Sequence, residues 1–300
     1  VKLVGLMCCR NESWVLGLSA RAALLWVDEL VILDHASTDR TPQIIDLLRR
    51  EYPDRIHDAT ASGEWEEMTH RQGMLKIARY HKATHIAIID ADEILTGNLT
   101  ALGPHPWVKG DWPPIALYEA SPGVIVQLPG YNLRGSLNRY HANGIWGNRW
   151  FSTAFCDDER LYWGGDNFHH REPRGMTLQP YRPIAQGDGG VMHLWGVSER
   201  RLKAKHALYK LNERLRWPDK PVAEMDRMYS WAIHGDAGNR SFGTPDTWIY
   251  DQVPASWWAP YAHLMQYLDV DAEPYQEAEC KRLVLEHPGL AAGLDLFGVV

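Results

Sequence analysis

The first hundred residues alternate short apolar runs with stretches of helical period, and this alternation restricts the fold more than any other feature of the chain. Residues 2–9 are apolar and rich in β-formers. Residues 12–26 then place Val15, Leu18, Ala22 and Leu25 on one helical face, with Asn11 as the expected N-cap. Residues 30–34 read as a second strand, and Thr41 as N-cap with Pro42 at the first helical position opens a helix to about residue 50. A strand at 55–58, a helix at 68–82 and a strand at 85–90 follow, the last carrying Ile86-Ala87-Ile88-Ile89, a run suited to burial on both faces. This order predicts an α/β fold with a Rossmann-like, mostly parallel central sheet flanked by helices. In such sheets ligands gather outside the carboxyl ends of the strands.

From residue 104 to 114 the chain turns Pro- and Trp-rich, and the segments 115–118, 124–128, 149–155 and 160–163 read as shorter strands forming a smaller antiparallel sheet. A strand at 190–195 leads at Ser198 into a basic helix to about residue 216, with further helices from Val222 and Pro274. The expected division is a principal domain over 1–197, with halves 1–103 and 104–197, and a helical C-terminal extension over 198–300. A chain of 300 residues is near the upper limit for one hydrophobic core.

Composition narrows the function classes. A net charge of −7 argues against nucleic acid as the main partner, because phosphate backbones attract basic faces. An anionic nucleotide ligand would need a cation or local basic groups. Four cysteines do not make a disulfide framework in a chain this long, so a reducing, cytoplasmic setting is expected. No apolar run approaches the roughly 18 residues that span a bilayer, and residues 1–4 enter a strand without a signal-peptide pattern. Contact with a membrane surface stays open. The 14 tryptophans and 13 tyrosines against 5 phenylalanines favour rings with a polar edge, which suit sugar clefts and equally suit half-buried packing.

Three polar clusters follow strands: Arg10-Asn11-Glu12, Asp34-His35-Ala36-Ser37-Thr38-Asp39-Arg40-Thr41 and Asp90-Ala91-Asp92-Glu93. Carboxylates at i and i+2 can aim the same way, and Mg²⁺ or Mn²⁺ commonly sits between one or two carboxylates and substrate phosphates. Alone, the acidic pair fits a solvated turn as well. In order and spacing the three clusters resemble the family 2 glycosyltransferases of GT-A fold, whose pattern is Asn-Glu after strand one, Asp-x-x-Ser-Thr-Asp-x-Thr after strand two and Asp-x-Asp after strand four. The resemblance covers roughly residues 1–100.

The resemblance implies a transferase that moves a sugar, with inversion, from a nucleotide-sugar (UDP-, GDP- or TDP-linked) to a glycan, lipid-linked, peptide or small-molecule acceptor. Asn11 and Glu12 would lie near the nucleotide, Asp34 would contact base or ribose, and Asp90 and Asp92 would hold the ribose and a diphosphate-bound Mn²⁺ or Mg²⁺. A turn-capping role would also account for Asp34. His35 departs from the acidic or amide residue common in the family. Arg71 resembles an arginine placed near the nucleotide. The segment from Val191 to Lys205 resembles a His-aromatic stretch of one branch, which implies His193 as a third metal ligand and Lys205 as a diphosphate contact.

An inverting member needs a carboxylate base on the acceptor side. Asp166, behind two glycines, is the first candidate and Glu172 the second. His169 and His170 could meet an acceptor or a second metal, or simply be loop histidines. Two other classes fit parts of the sequence less well. A nucleotidyltransferase or other nucleotide-binding enzyme should carry a Gly-rich loop after strand one, and residues 7–12 contain no glycine. A carbohydrate-binding protein without catalysis would tolerate loss of the acidic pair.

Overall fold

In the computed structural model, residues 1–63, 65–100, 120–165, 170–234 and 247–300 are described. The expected strand at 115–118 lies outside them.

Strand parity decides where the helices pack. β1 (Leu3–Cys9), β2 (Glu29–His35), β3 (Ile56–Ala61) and β4 (His85–Asp90) lie side by side in the order β3-β2-β1-β4, all parallel. Successive side chains point to opposite faces. Leu3, Met7, Leu30, Ile32, Ala87 and Ile89 share one buried cluster with Leu16 and Ala20 of α1 (Leu16–Ala23) and with Ile45 and Leu48 of α2 (Thr41–Glu51). Val4, Leu6, Val31, Leu33, Ile86 and Ile88 share the other with Met74, Leu75 and Ala78 of α3 (Glu67–Tyr80). Gly5 belongs to the first face, where a Cβ would meet the Leu30 side chain at 2.8 Å. Each fully buried Leu or Ile contributes about 1.5–3 kcal/mol. Truncating Ile88, 1% exposed, to alanine is therefore expected to cost about 2–5 kcal/mol.

β2 and β3 extend the sheet on one side of β1, and β4 lies on the other. The strand order reverses between β1 and β4, and the crevice at their carboxyl ends is where sheets of this kind take ligands. Past β4 the sheet continues through β8 (Arg149–Cys156), antiparallel to β4, then β6 (Val124–Asn132), β10 (Val191–His193) and β5 (Glu93–Leu95), with β9 (Gln179–Tyr181) paired to β6. The segments at 124–128 and 149–155 thus join the main sheet. The separate small antiparallel sheet pairs β7 (Arg139–His141) with β11 (Tyr250–Gln252).

Three local expectations are corrected. α1 begins at Leu16, because Asn11 takes a left-handed backbone (φ 55°) and spends its side chain elsewhere, so it is not the N-cap. Thr41 does not cap α2 either, since Arg40 holds that position and the Thr41 hydroxyl accepts the Glu12 amide at 2.9 Å. Residues 160–163 form no strand: Asp158 accepts the Arg160 amide at 3.0 Å and folds the segment into a turn, with one bridge from Tyr162 to Arg174.

The chain divides into two compact units. Val1–Gly130, Trp150–Met192 and Pro254–Asp269 make the first, and Tyr131–Arg149, His193–Val253 and Val270–Val300 the second. Part of the C-terminal hundred residues therefore belongs with the parallel sheet. There α7 (Ala255–Trp258) and the 3-10 segment Ala259–Tyr267 meet residues near β5 and α1: the buried Tyr261 hydroxyl donates to Leu95 O at 2.7 Å, and the Arg21 guanidinium lies 3.7 Å from the Tyr267 ring centre.

In the second unit Ser198 caps α4 (Glu199–Arg216), its hydroxyl accepting the Arg201 amide at 3.4 Å. α5 (Val222–Tyr229) and α6 (Trp231–His234) follow. Ala207, Leu208 and Leu211 of α4 pack with Cys280 and Leu283 of α8 (Tyr275–Glu286). The wholly buried Lys210 ammonium is satisfied by Asp226 at 2.7 Å, Ser230 at 2.8 Å and Asp295 O at 2.6 Å. A buried cation needs such a full set of partners. Among the described residues, no helix is long and apolar enough to cross a membrane.

Candidate functional site

At the carboxyl end of β1, Asn11 is the knot that ties two loops together. Its Oδ1 accepts the amides of Thr38 at 2.7 Å and Asp39 at 3.1 Å, while its own amide donates to Ser37 Oγ at 2.8 Å. Glu12 donates its amide to Thr41, and Ser13 donates to Asp39 Oδ2 at 3.1 Å. Asparagine tolerates the left-handed backbone this turn demands better than most residues. Part of the Asn-Glu and Ser-Thr-Asp-x-Thr signature therefore has an architectural reason. It holds the loop after β2 against the loop after β1. Asp34, 6% exposed, accepts the Ser37 hydroxyl and amide and so braces the same turn, and Glu12 accepts the Trp14 indole N–H at 2.6 Å.

The end of β4 is held differently, by guanidinium groups. Parity puts Asp90 on the face covered by α3, and Arg71 Nη2 of that helix donates to Asp90 Oδ1 at 3.2 Å while Nε donates to Glu67 at 3.0 Å. Arg171 donates to Asp90 Oδ2 at 2.8 Å and to both oxygens of Glu93, at 2.6 and 2.9 Å. Glu93 Oε2 also accepts the Asp90 amide at 3.1 Å, closing the Asp-Ala-Asp-Glu turn upon itself.

Arg171 further donates to Ile88 O at 2.9 Å and Ser152 O at 3.2 Å. The β4–β8 register ends at Ala87↔Ala154, so these carbonyls lie just beyond the last ladder pair, and the arginine closes the seam where the strands part. Burial opposes its charge, but Glu93 and Asp90 overcome that and raise its pKa. Neither Arg171 nor Glu67 stood out in the sequence. A lone arginine in a loop carries no periodic or motif signal, and only the Asp90 and Glu93 carboxylates reveal its purpose.

Cys8, opposite Asp90 in the β1–β4 register, has its thiol pushed up to about 12 by burial, against the lowering effect of Arg71. It is no thiolate at neutral pH. All four cysteines are free thiols.

The other sequence candidates fall as follows. Asp92 is buried at 8% exposure in the turn after β4. Glu172 accepts the Ser152 hydroxyl at 2.6 Å, next to Arg171 in the chain. Asp166 and His169 lie outside the described residues, and His170 is described and half-buried. His193 and Lys205 belong to the second unit.

His193 has a determinable tautomer. Asn132 Nδ2 donates to Trp146 O at 2.9 Å, and its Oδ1 accepts the Trp195 indole N–H at 3.0 Å, which fixes the orientation of the amide. The contact of Asn132 Oδ1 with His193 Nδ1 at 3.1 Å therefore requires a hydrogen on Nδ1, and places the lone pair of the neutral ring on Nε2. Lys205 lies half-buried on α4.

Hard divalent cations accept carboxylate oxygens of the kind gathered after β4, and most of these are held here by guanidinium groups. Glu67, Asp90 and Glu93 oppose two guanidiniums, leaving one formal negative charge, and Asp92 supplies a second. Carboxylate oxygens, with the remaining positions filled by phosphate and water, are the usual surroundings of Mg²⁺ and Mn²⁺. The Asp90 side chain is 38% exposed, so a polar ligand can reach it.

No protein-family model matches the chain, and no curated protein does. Among solved structures it is similar to S. aureus TarS 1-349, at 12% identity over 95% of this chain and 88% of that one, with a TM-score of 0.41. The same TarS fragment in complex with UDP gives 12% identity over 95% and 88%, with a TM-score of 0.42. The mannosyltransferase PcManGT from Pyrobaculum calidifontis, in complex with GDP-Man and Mn²⁺, gives 14% over 95% and 86%, with a TM-score of 0.35. Likenesses this distant assign no residue a role, so the reading of the site rests on the chain's own geometry.

Proposed function

We propose that the chain is a glycosyltransferase of GT-A type, binding a nucleotide-sugar in the β1–β4 crevice and transferring the sugar with inversion to an acceptor hydroxyl. The observation that supports this reading is that Asp34 and Asp90 lie at the carboxyl ends of β2 and β4, in register with the neighbouring residues Cys9 and Cys8 of β1, with Asp92 in the turn that follows β4. In this reading Asp34 meets the base or ribose, and Asp90, aimed by Arg71 and Arg171, meets the ribose and borders the cation. Asn11 and Glu12 shape the nucleotide pocket, Asn11 through the backbone it fixes.

Asp92 and Asp90 would hold Mn²⁺ or Mg²⁺, which when bound supplies positive charge opposite the diphosphate. For His193 and Lys205, which belong to the second unit, the ligand and diphosphate roles are only what the resemblance implies. In the transfer, Glu172 or Asp166 takes the proton of the acceptor hydroxyl. The acceptor oxygen bonds to the anomeric carbon as the bond from that carbon to the diphosphate oxygen breaks, and the nucleoside diphosphate leaves with the electron pair. A general base of this kind contributes about 10²–10⁴ in rate.

The deciding experiment is a thermal-shift screen of nucleoside diphosphates and nucleotide-sugars with and without Mn²⁺. A cation-dependent rise with one nucleotide class is expected. No shift with any nucleotide would overturn the reading. Turnover of Asp166→Asn and Glu172→Gln with the donor so found then separates the two candidate bases, since the true one loses transfer and keeps donor binding.

A further inference from the structure

We propose that the opposite pole of the parallel sheet carries a second cation site, in which Glu29, His57 and His81 take a borderline divalent ion such as Zn²⁺. Strand parity creates it. Glu29 opens β2 on the face that holds Val31 and Leu33, and the β2–β3 register pairs Val31 with His57, so Glu29 and His57 point to the same side one step apart. α3 packs on that face and runs back toward the amino ends of the strands, where its C-cap is His81.

The three side chains meet there. His57 Nε2 lies 2.7 Å from Glu29 Oε2, the His57 and His81 rings stack at 3.5 Å between centroids and 22°, and one ligand atom from each residue lies within 4.8 Å of the others. All three are partly exposed, so an ion can reach them.

Two imidazole nitrogens and one carboxylate oxygen form a donor set that zinc accepts in tetrahedral sites, with water as the fourth ligand. Zinc–ligand bonds of about 2.0–2.1 Å put neighbouring donors roughly 3.3 Å apart. The present spacing has to contract by at most about 1.5 Å, within reach of a rotation of His81 at the helix end. His57 presents Nε2 once its hydrogen sits on Nδ1.

Lys2 supplies the counter-argument and a diagnostic. Its ammonium pairs with Glu29 Oε1 and donates to His81 O at 2.7 Å, so it neutralises the rim in the absence of metal and repels an incoming dication. The site lies about 17 Å from the carboxyl end of β2, taking five residues of strand rise from Glu29 to Asp34. It is independent of the nucleotide-binding reading. Its occupancy would cross-link β2, β3 and the end of α3.

The test is calorimetric titration of Zn²⁺ into the Asp92→Asn protein, which removes one of the two carboxylates proposed to hold a cation at the other pole. One Zn²⁺ per chain is expected, with Co²⁺ in its place giving the visible absorption of a four-coordinate ion. Glu29→Gln and His81→Asn should each weaken binding by about tenfold or more, and Lys2→Ala should tighten it. His57→Gln is the more intrusive change, so the half-exposed His81→Asn decides if that variant does not fold. Absence of Zn²⁺ binding, or equal stoichiometry and affinity in Glu29→Gln and His81→Asn, would overturn the proposal.

Discussion

The two ends of the same four strands are built from similar residue types and do different work. At the carboxyl end, Asp90 and Glu93 are gripped by Arg71 and Arg171, and loops are knotted through Asn11. At the amino end, Glu29 faces Lys2 and two histidines that stack on each other. The first arrangement fixes its carboxylates with guanidinium forks, which suits a site that must be preorganised for a polar ligand. The second uses imidazoles and an ammonium, groups that lose or exchange partners readily. A carboxylate in a sheet's end turn is uninformative until its partners are known.

The largest expected effect is at the gripped end. Arg171→Leu leaves Glu93, 3% exposed, and Asp90 without their shared counter-ion, and breaking such a pair costs about 3–5 kcal/mol. Urea denaturation should show it as a lowered midpoint. A loss below about 1 kcal/mol, the range of surface pairs, would mean that this cluster is no more constrained than the other pole.

Asn11→Ala comes next. It removes the oxygen that accepts two backbone amides and puts an alanine at φ 55°, for a loss of about 2–3 kcal/mol, with weakened nucleotide binding because the β2 loop is released. Equal nucleotide affinity in a folded Asn11→Ala protein would separate the knot from the pocket.

At the amino end, without added metal, Glu29→Gln should cost only about 0.5–1 kcal/mol and leave nucleotide affinity unchanged, the pair being partly exposed. The hydrogen bonds from Lys2 and His57 depress the Glu29 pKa against the upward pull of burial. That small contribution is therefore complete above the ordinary carboxyl range and fades as pH falls through the depressed value. A gap between wild type and Glu29→Gln that grows on acidification would contradict the assignment.

Much of the parallel half was legible in the chain, for definite reasons. Ile86-Ala87-Ile88-Ile89, short and mostly β-branched, suits a strand covered on both faces, and the structure divides it alternately between the two helix layers. The end of the strand at Asp90 followed from the same run. Helix starts were less legible, because Asn11 and Thr41 are side chains that either cap a helix or bridge two loops, and the choice depends on a partner loop more than twenty residues away. The guanidinium clamp was illegible for a similar reason. Arg171 meets Asp90 across 81 residues, through the place where β4 and β8 separate, and nothing local marks it. The same holds for Glu29, His57 and His81, which strand register assembles from three separate elements.

The central claim is that Asp92, at the gripped end, ties a cation to a nucleoside diphosphate. Its most direct test is calorimetry of the nucleoside diphosphate selected by the thermal screen, in the presence of Mn²⁺, against wild type and Asp92→Ala, with circular dichroism to confirm the fold. Asp92→Ala is expected to keep its fold and lose the Mn²⁺-dependent part of the affinity. Unchanged Mn²⁺-dependent affinity in the folded variant would contradict it.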